Sequence, residues 1–334
     1  YSYNQPLQSF VNQGPFYSVE FSKLNLIADS YDQTQVDSVT APNGLICCVF
    51  YEASRTTSKW NFVIIDSLSG QAVTSIQTLT PNTGTIYAQG YGKTFYFQNK
   101  FIIIFPVTNG ANTELQFIAI DSTTLVVSPA VTICTTYKPD NAGTLNSKNW
   151  DAAVGPNNIV IGFNSSANTF FVNTIYSNLS VGTPTLIDNT LSATNVCGTC
   201  DGNNFYFSYV DNNTGNGNVV GISLLSGTPT KTFSPQQFLT ACPYAVLNLA
   251  TIVNGTTINI LYELVTSVYY YFPSSYPAST QVSDQIDKRT CSTSGVIGAA
   301  PTSSLIKGAG LASRAFLFAG DFYFAICYSK GNNS

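Results

Sequence analysis

The chain has 334 residues, of which 9% are charged, with a formal net charge of −4 and no histidine. Ordinary soluble domains carry about 25% charge, so this surface is polar without being ionic, and nothing in it suits nucleic acid or an anionic membrane. The missing histidine removes Ser-His-Asp and Cys-His nucleophiles, histidine general bases and histidine metal ligands, which leaves carboxylates as the route to hydrolysis.

Tyr1 to Pro15 precede the first strand and form an arm carrying Tyr1, Tyr3 and Phe10. Chain ends fray unless tied down, so this arm is expected to dock on its own domain or on a neighbouring copy of the chain. The absence of an initiator Met fits removal of a secretion signal or excision from a precursor.

From Pro42 onward one phrase recurs: a turn rich in Gly and Asn, a strongly apolar strand, a polar turn and another strand. The turns are Pro42-Asn43-Gly44, Gln98-Asn99-Lys100, Pro156-Asn157-Asn158, Gly202-Asn203-Asn204, Asn254-Gly255 and Gly320-Asp321. They launch Leu45 to Tyr51, Phe101 to Phe105, Ile159 to Phe163, Phe205 to Tyr209, Ile258 to Tyr262 and Phe322 to Tyr328. Asn and Gly tolerate the positive φ of tight hairpins, and β-branched and aromatic runs suit strands buried on both faces. A third strand ends in a polar corner at Ser67, Ser122, Ser177 and Ser223.

The unit repeats roughly every 46 to 64 residues and resembles a four-stranded propeller blade. The resemblance is to β-propellers as an architecture and carries no functional residues with it. It implies an all-β domain over residues 16–334 with about six blades. The last blade is closed by two C-terminal strands and by N-terminal strands at Tyr17 to Ile27 and Tyr31 to Val36. Residues 273–310, rich in Ser, Pro, Ala, Thr and Gly, read as an elaborated loop. No apolar run reaches the roughly 18 residues that span a bilayer, so no membrane insertion is expected.

Eight cysteines, Cys47, Cys48, Cys134, Cys197, Cys200, Cys242, Cys291 and Cys327, suggest disulfides in an oxidising compartment. Cys197 and Cys200 are close enough to bond each other, and Cys327 and Cys47 or Cys48 fall on equivalent strands of neighbouring blades. A zinc half-site at Cys197-Gly198-Thr199-Cys200 lacks a second pair at matching spacing. Five sequons, Asn164, Asn178, Asn212, Asn254 and Asn332, fall in hairpin turns on this scheme and invite N-linked glycans.

Carboxylates on innermost strands would face the central channel. The candidates are Asp37 and Asp151, with Arg314 as their cationic counterpart. Asp29, Asp32 and Asp37 lack the loop spacing of a calcium motif, and the aromatic run at Tyr269 to Phe272 is explained by core packing as readily as by sugar stacking. No cofactor or metal is expected.

Low charge, sequons at turns and the arm point to a secreted or cell-surface, non-catalytic structural or adhesive glycoprotein that assembles with its own copies into a layer, matrix or filament. A monomeric propeller that binds protein or carbohydrate is the alternative. A carboxylate-dependent glycoside hydrolase is the third reading, weakened by the absence of Asp boxes and of a convergent arginine triad.

Overall fold

The computed structural model describes residues 32–53, 59–87, 92–139, 149–189, 193–211, 214–240, 246–264, 267–269, 280–282, 285–300, 306–307, 316–319 and 324–327. Every strand pairing among them is antiparallel.

Sheet 1 runs β1 (Asp32–Thr40), β2 (Leu45–Ala53), β3 (Lys59–Asp66) and β4 (Gln77–Thr78). Sheet 2 holds β5 (Thr85–Ile86), β6 (Lys93–Phe97), β7 (Lys100–Asn109), β8 (Asn112–Asp121) and β9 (Val131–Tyr137), with β5 and β6 both pairing with β7. Sheet 3 is β10 (Trp150–Val154), β11 (Asn158–Asn164), β12 (Phe170–Tyr176) and β13 (Thr185–Asp188). Sheet 4 is β14 (Ala193–Cys200), β15 (Asn204–Asp211), β16 (Gly217–Ser223) and β17 (Thr230–Leu239).

The next strands are β18 (Val246–Asn254), β19 (Thr257–Leu264), β20 (Ser267–Tyr269), β21 (Thr280–Val282), β22 (Gln285–Ser292) and β23 (Ile306–Lys307). Sheet 5 is β18-β19-β22-β23, and β20 and β21 make a small ribbon of their own. The chain then forms the hairpin β24 (Phe316–Ala319) and β25 (Phe324–Cys327). Innermost strands adjoin in order, β1 to β6, β10 to β14, β14 to β18 and β18 to β24, while a side-chain ion pair links β6 to β10. The fold is a β-propeller.

The core lies between sheets, not within any one of them. Alternation along β7 sends Phe101, Ile103, Phe105 and Val107 toward sheet 1, where they meet Trp60, Phe62 and Ile64. Ile102 and Ile104 point the other way, against Trp150, Ile159 and Phe163 of sheet 3. The same division recurs between sheets 3 and 4, where Phe170 stacks on Tyr209 with ring centroids 4.6 Å apart. Between sheets 4 and 5, Phe238 meets Tyr262 at 5.8 Å. A strand buried on both faces shows no period of two, which is why the second strand of each repeat reads as a continuous apolar run.

The turns match their sequences. Asn99 and Gly202 hold φ of 58° and 99°, as tight hairpins between first and second strands require. After the third strand a polar side chain accepts from the N–H two to four residues on: Asp66 from Leu68, Asp121 from Thr123, Asn178 from Ser180, Ser223 from Leu225 and Ser292 from Val296.

Two boundary expectations are corrected. Asp32 pairs with Ala53 and Gln33 with Glu52, so the stretch assigned to the last blade belongs to the innermost strand of sheet 1. Residues 273–310 are not all loop: β22 pairs with β19 along eight positions and is the third strand of sheet 5. Its polar sequence, Gln-Ile-Asp-Lys-Arg-Thr-Cys-Ser, hides it from hydrophobic periodicity. Tyr1, Tyr3, Phe10 and Tyr17 to Ile27 lie outside the described residues.

Removing one ring from the stack between sheets 3 and 4 tests whether stability resides between blades. Phe170→Ala is expected to cost about 3–5 kcal/mol in denaturant unfolding. A loss near that of an exposed substitution would show the sheets to be independently stable.

Candidate functional site

A propeller's innermost strands are sheet edges, so their channel-side N–H groups have no ladder partner within the sheet. Here side chains from the preceding sheet accept from them. Asp37 Oδ2 on β1 takes the Thr94 N–H on β6 at 2.7 Å. Asp151 Oδ2 on β10 takes the Gly198 N–H on β14 at 2.9 Å. Thr199 Oγ1 on β14 takes the Val253 N–H on β18 at 3.3 Å.

The two carboxylates stand at one level. Asp37 pairs with Val49, Asp151 with Gly162 and Lys93 with Ile104, each three residues before the innermost-strand residue that pairs with Ile46, Ile159 or Phe101. Lys93 therefore falls between Asp37 and Asp151 on consecutive innermost strands. Its Nζ lies 2.5 Å from Asp151 Oδ1, with side-chain exposures of 24% and 4%, and 5.1 Å from the centre of the Phe95 ring. An ammonium at this place offsets the anion that Asp151 holds out of water. A bulge between Thr34 and Asp37 interrupts the β1 ladder and sets the aim of Asp37, as bulges beside functional sites commonly do.

Reading the sequence finds Asp37 and Asp151 but misses Lys93. Its signal is positional: Lys93 and Asp151 each stand seven residues before Lys100 and Asn158, where the second strands begin. Arg314 lies outside the described residues.

A cleft of about 380 Å³ opens between the outer strands of sheets 1 and 2, lined by Phe62, Gln77, Leu79, Asn82, Ile118 and Ala130 among others. No ionisable side chain lines it, so it offers shape and neutral hydrogen bonds but no acid or base. Among the described residues no three His, Cys, Asp or Glu gather as a metal site.

The remaining expected sites divide. Asn178 and Asn254 are exposed, whereas Asn164 ends β11 at 1% exposure, too enclosed to bear a glycan on the folded chain. Asn212 and Asn332 lie outside the described residues. Cys197 packs toward sheet 5 and Cys200 toward sheet 3, so the expected bond between them is corrected: three residues apart on one strand, they take opposite faces. Among the described residues no two cysteines are joined. Burial pushes the thiols of Cys47 and Cys134 up to about 12, and those of Cys200 and Cys291 to about 11. Cys242 lies outside the described residues.

No protein-family model and no curated protein matches the chain. Solved structures do. An ulvan lyase, described as a new family of polysaccharide lyase, aligns at 9% identity over 91% of this chain and 80% of its own, with a TM-score of 0.52. An α-L-arabinofuranosidase from Lactobacillus brevis aligns at 12% identity and a TM-score of 0.41, over 81% of this chain and 94% of its own. A thermostable family-43 glycoside hydrolase aligns at 11% identity and a TM-score of 0.41, over 84% and 97%. The expectation of a non-catalytic structural or adhesive subunit is corrected by this finding: the ulvan lyase that shares the architecture is an enzyme.

Two outcomes test the account of the channel. An added Cβ at Gly198 would come within 2.8 Å of the Phe207 ring and 3.2 Å of the Ala152 carbonyl carbon. Gly198→Ala is expected to cost about 1–3 kcal/mol in urea unfolding, because it forces apart the strands that Asp151 ties together. The buried thiols set a pH limit. Their folded pKa values lie above the ordinary 9.0, so between pH 9 and about 11 the folded state holds more protons than the unfolded one. Stability falls as pH rises through that window. Thermal unfolding at pH 8 and pH 10 should show the lower Tm at pH 10, and a Tm independent of pH there would refute the assignment.

Proposed function

We propose that the chain is an extracellular carbohydrate-active enzyme with six blades, which takes a glycan at its central channel and cleaves it by carboxylate chemistry. The observation that carries the reading is the level shared by Asp37, Lys93 and Asp151 on three consecutive innermost strands. Glycoside cleavage needs one carboxyl group to move a proton and a second to stand against the developing positive charge of the sugar ring. Asp37, half-buried and placed by a bulge, is the group that exchanges a proton with substrate or water. Asp151, with both oxygens engaged by Lys93 and Gly198, is the fixed anion. Lys93 holds it and adds a donor for sugar hydroxyls.

The ulvan lyase supports a polysaccharide as the substrate class, because it is named for that activity and shares the architecture at a TM-score of 0.52. Exposed sequons at Asn178 and Asn254 support an extracellular setting. The hairpin β24-β25, following five larger sheets, supports the sixth blade.

The test is a panel of neutral and uronate-containing polysaccharides, assayed for new reducing ends and for the ultraviolet absorbance of unsaturated uronates. Reducing ends without that absorbance identify hydrolysis. Asp37→Asn is expected to lower kcat by about 10²–10⁴-fold while leaving Tm near that of the native chain. Full activity in that variant, or glycan binding without cleavage anywhere in the panel, would remove the catalytic reading.

A further inference from the structure

The cleft between the outer strands of sheets 1 and 2 has an apolar floor and a neutral polar rim. Phe62 of β3, Leu79, Ile118 of β8 and Ala130 form the floor, and all are buried. The rim carries Gln77 and Thr78 on β4, with Thr80 and Asn82 in the segment that leads into β5. Gln77 is half-buried and the other three are exposed. Amides and hydroxyls give and take hydrogen bonds alike, so this rim suits a ligand that does the same.

Two chains of hydrogen bonds hold the rim from behind. Thr78 Oγ1 donates to Asn61 Oδ1 at 2.9 Å, and Asn61 Nδ2 donates to Glu52 Oε2 at 2.9 Å. The Asn82 N–H donates to Gln116 Oε1 at 2.9 Å, and Gln116 Nε2 donates to Glu114 Oε2 at 3.0 Å. Thr83 Oγ1 donates to the same carboxylate oxygen at 3.2 Å, and Asn109 Nδ2 to the other at 3.0 Å. Asn61, Glu114 and Gln116 are buried, so both chains run through the wall of the cleft and not over its surface. The rim is fixed before a ligand arrives, which spares part of the ordering cost of binding. Each chain also ends on a carboxylate, and the described lining residues include no cation. A uronate or sulfate entering here would give up water and meet Glu52 and Glu114 behind the walls, which neutral sugar hydroxyls do not.

We propose that this cleft is a second glycan-binding site, which holds a neutral sugar residue of the same polymer that the channel takes. The inference rests on the reading of the channel as a polysaccharide site. A sugar ring has an apolar C–H face with hydroxyls around its edge, and the cleft sets an apolar floor within a rim of amides and hydroxyls. Its volume of about 380 Å³ lies near the small end of ligand pockets, so it takes a short stretch of glycan and not a folded partner. A polymer held in the cleft is kept at raised local concentration near the channel, and avidity follows without any new contact there.

The test is calorimetric binding by the full chain carrying Asp37→Asn, which keeps the polymer whole. The probes are arabinan, xylan and β-glucan as neutral polymers and polygalacturonate as the anionic one. Adding Thr80→Trp, which fills the cleft from its exposed rim, is expected to weaken the affinity for a neutral polymer by about tenfold or more and to leave polygalacturonate unchanged. Asn82→Ala keeps the backbone N–H on Gln116 and should weaken the same polymer by roughly twofold to tenfold. Hydrogen exchange at the amides of Leu79, Thr80 and Asn82 should slow when that polymer is added, a readout that needs no cleft variant and so survives one that fails to fold. Unchanged affinities in both variants, unchanged exchange, or a loss confined to polygalacturonate would overturn the inference. Cleavage by the native chain with unchanged affinities would strike the cleft alone. Weakened binding in Thr80→Trp with no cleavage of any polymer would uphold the cleft and strike the catalytic reading alone.

Discussion

Every blade of this protein ends at the axis in an edge strand, and an edge strand carries N–H groups that its own sheet cannot satisfy. The chain meets this demand with side chains that reach from one sheet to the next: Asp37 to Thr94, Asp151 to Gly198, Thr199 to Val253. Neighbouring sheets are thereby stitched at the centre by polar contacts while their faces are pressed together by apolar ones. The same contacts put carboxylates on the innermost strands. A residue type chosen to accept from a backbone amide is also one able to hold a cation or move a proton, so architecture and chemistry draw on the same positions.

Charge at that level has to balance. Asp37 and Asp151 alone would set two anions on innermost strands, and Asp151 is nearly shut off from water. Lys93 stands between them in ring order and neutralises the more buried one. Strands buried on both faces leave only corners and outermost strands to carry polar residues, and here those corners are built from Asn, Ser, Thr and Asp side chains that cap their own turns.

What the sequence failed to show has a common cause. Lys93 was invisible because its partner Asp151 lies 58 residues away and only the alignment of two hairpins brings them level. Strand β22 reads as loop because its sequence, Gln-Ile-Asp-Lys-Arg-Thr-Cys-Ser, is almost wholly polar and lacks the apolar run of the other inner strands. Asn164 reads as a turn sequon, yet the second strand of sheet 3 extends through it and encloses the side chain. Cys197 and Cys200 look like a pair by spacing, while alternation along β14 sends them into different interfaces.

The sequence by itself determined the all-β class, the repeating hairpins and the propeller. These follow from local causes: positive φ at Asn and Gly, β-branched and aromatic runs, and polar caps within a few residues of the turns they close. Tertiary structure alone decided which polar residues stand level at the axis, which face each cysteine takes and which sheet covers which. Those facts depend on how separate hairpins are registered against one another, and the contacts that set the register join residues tens of positions apart.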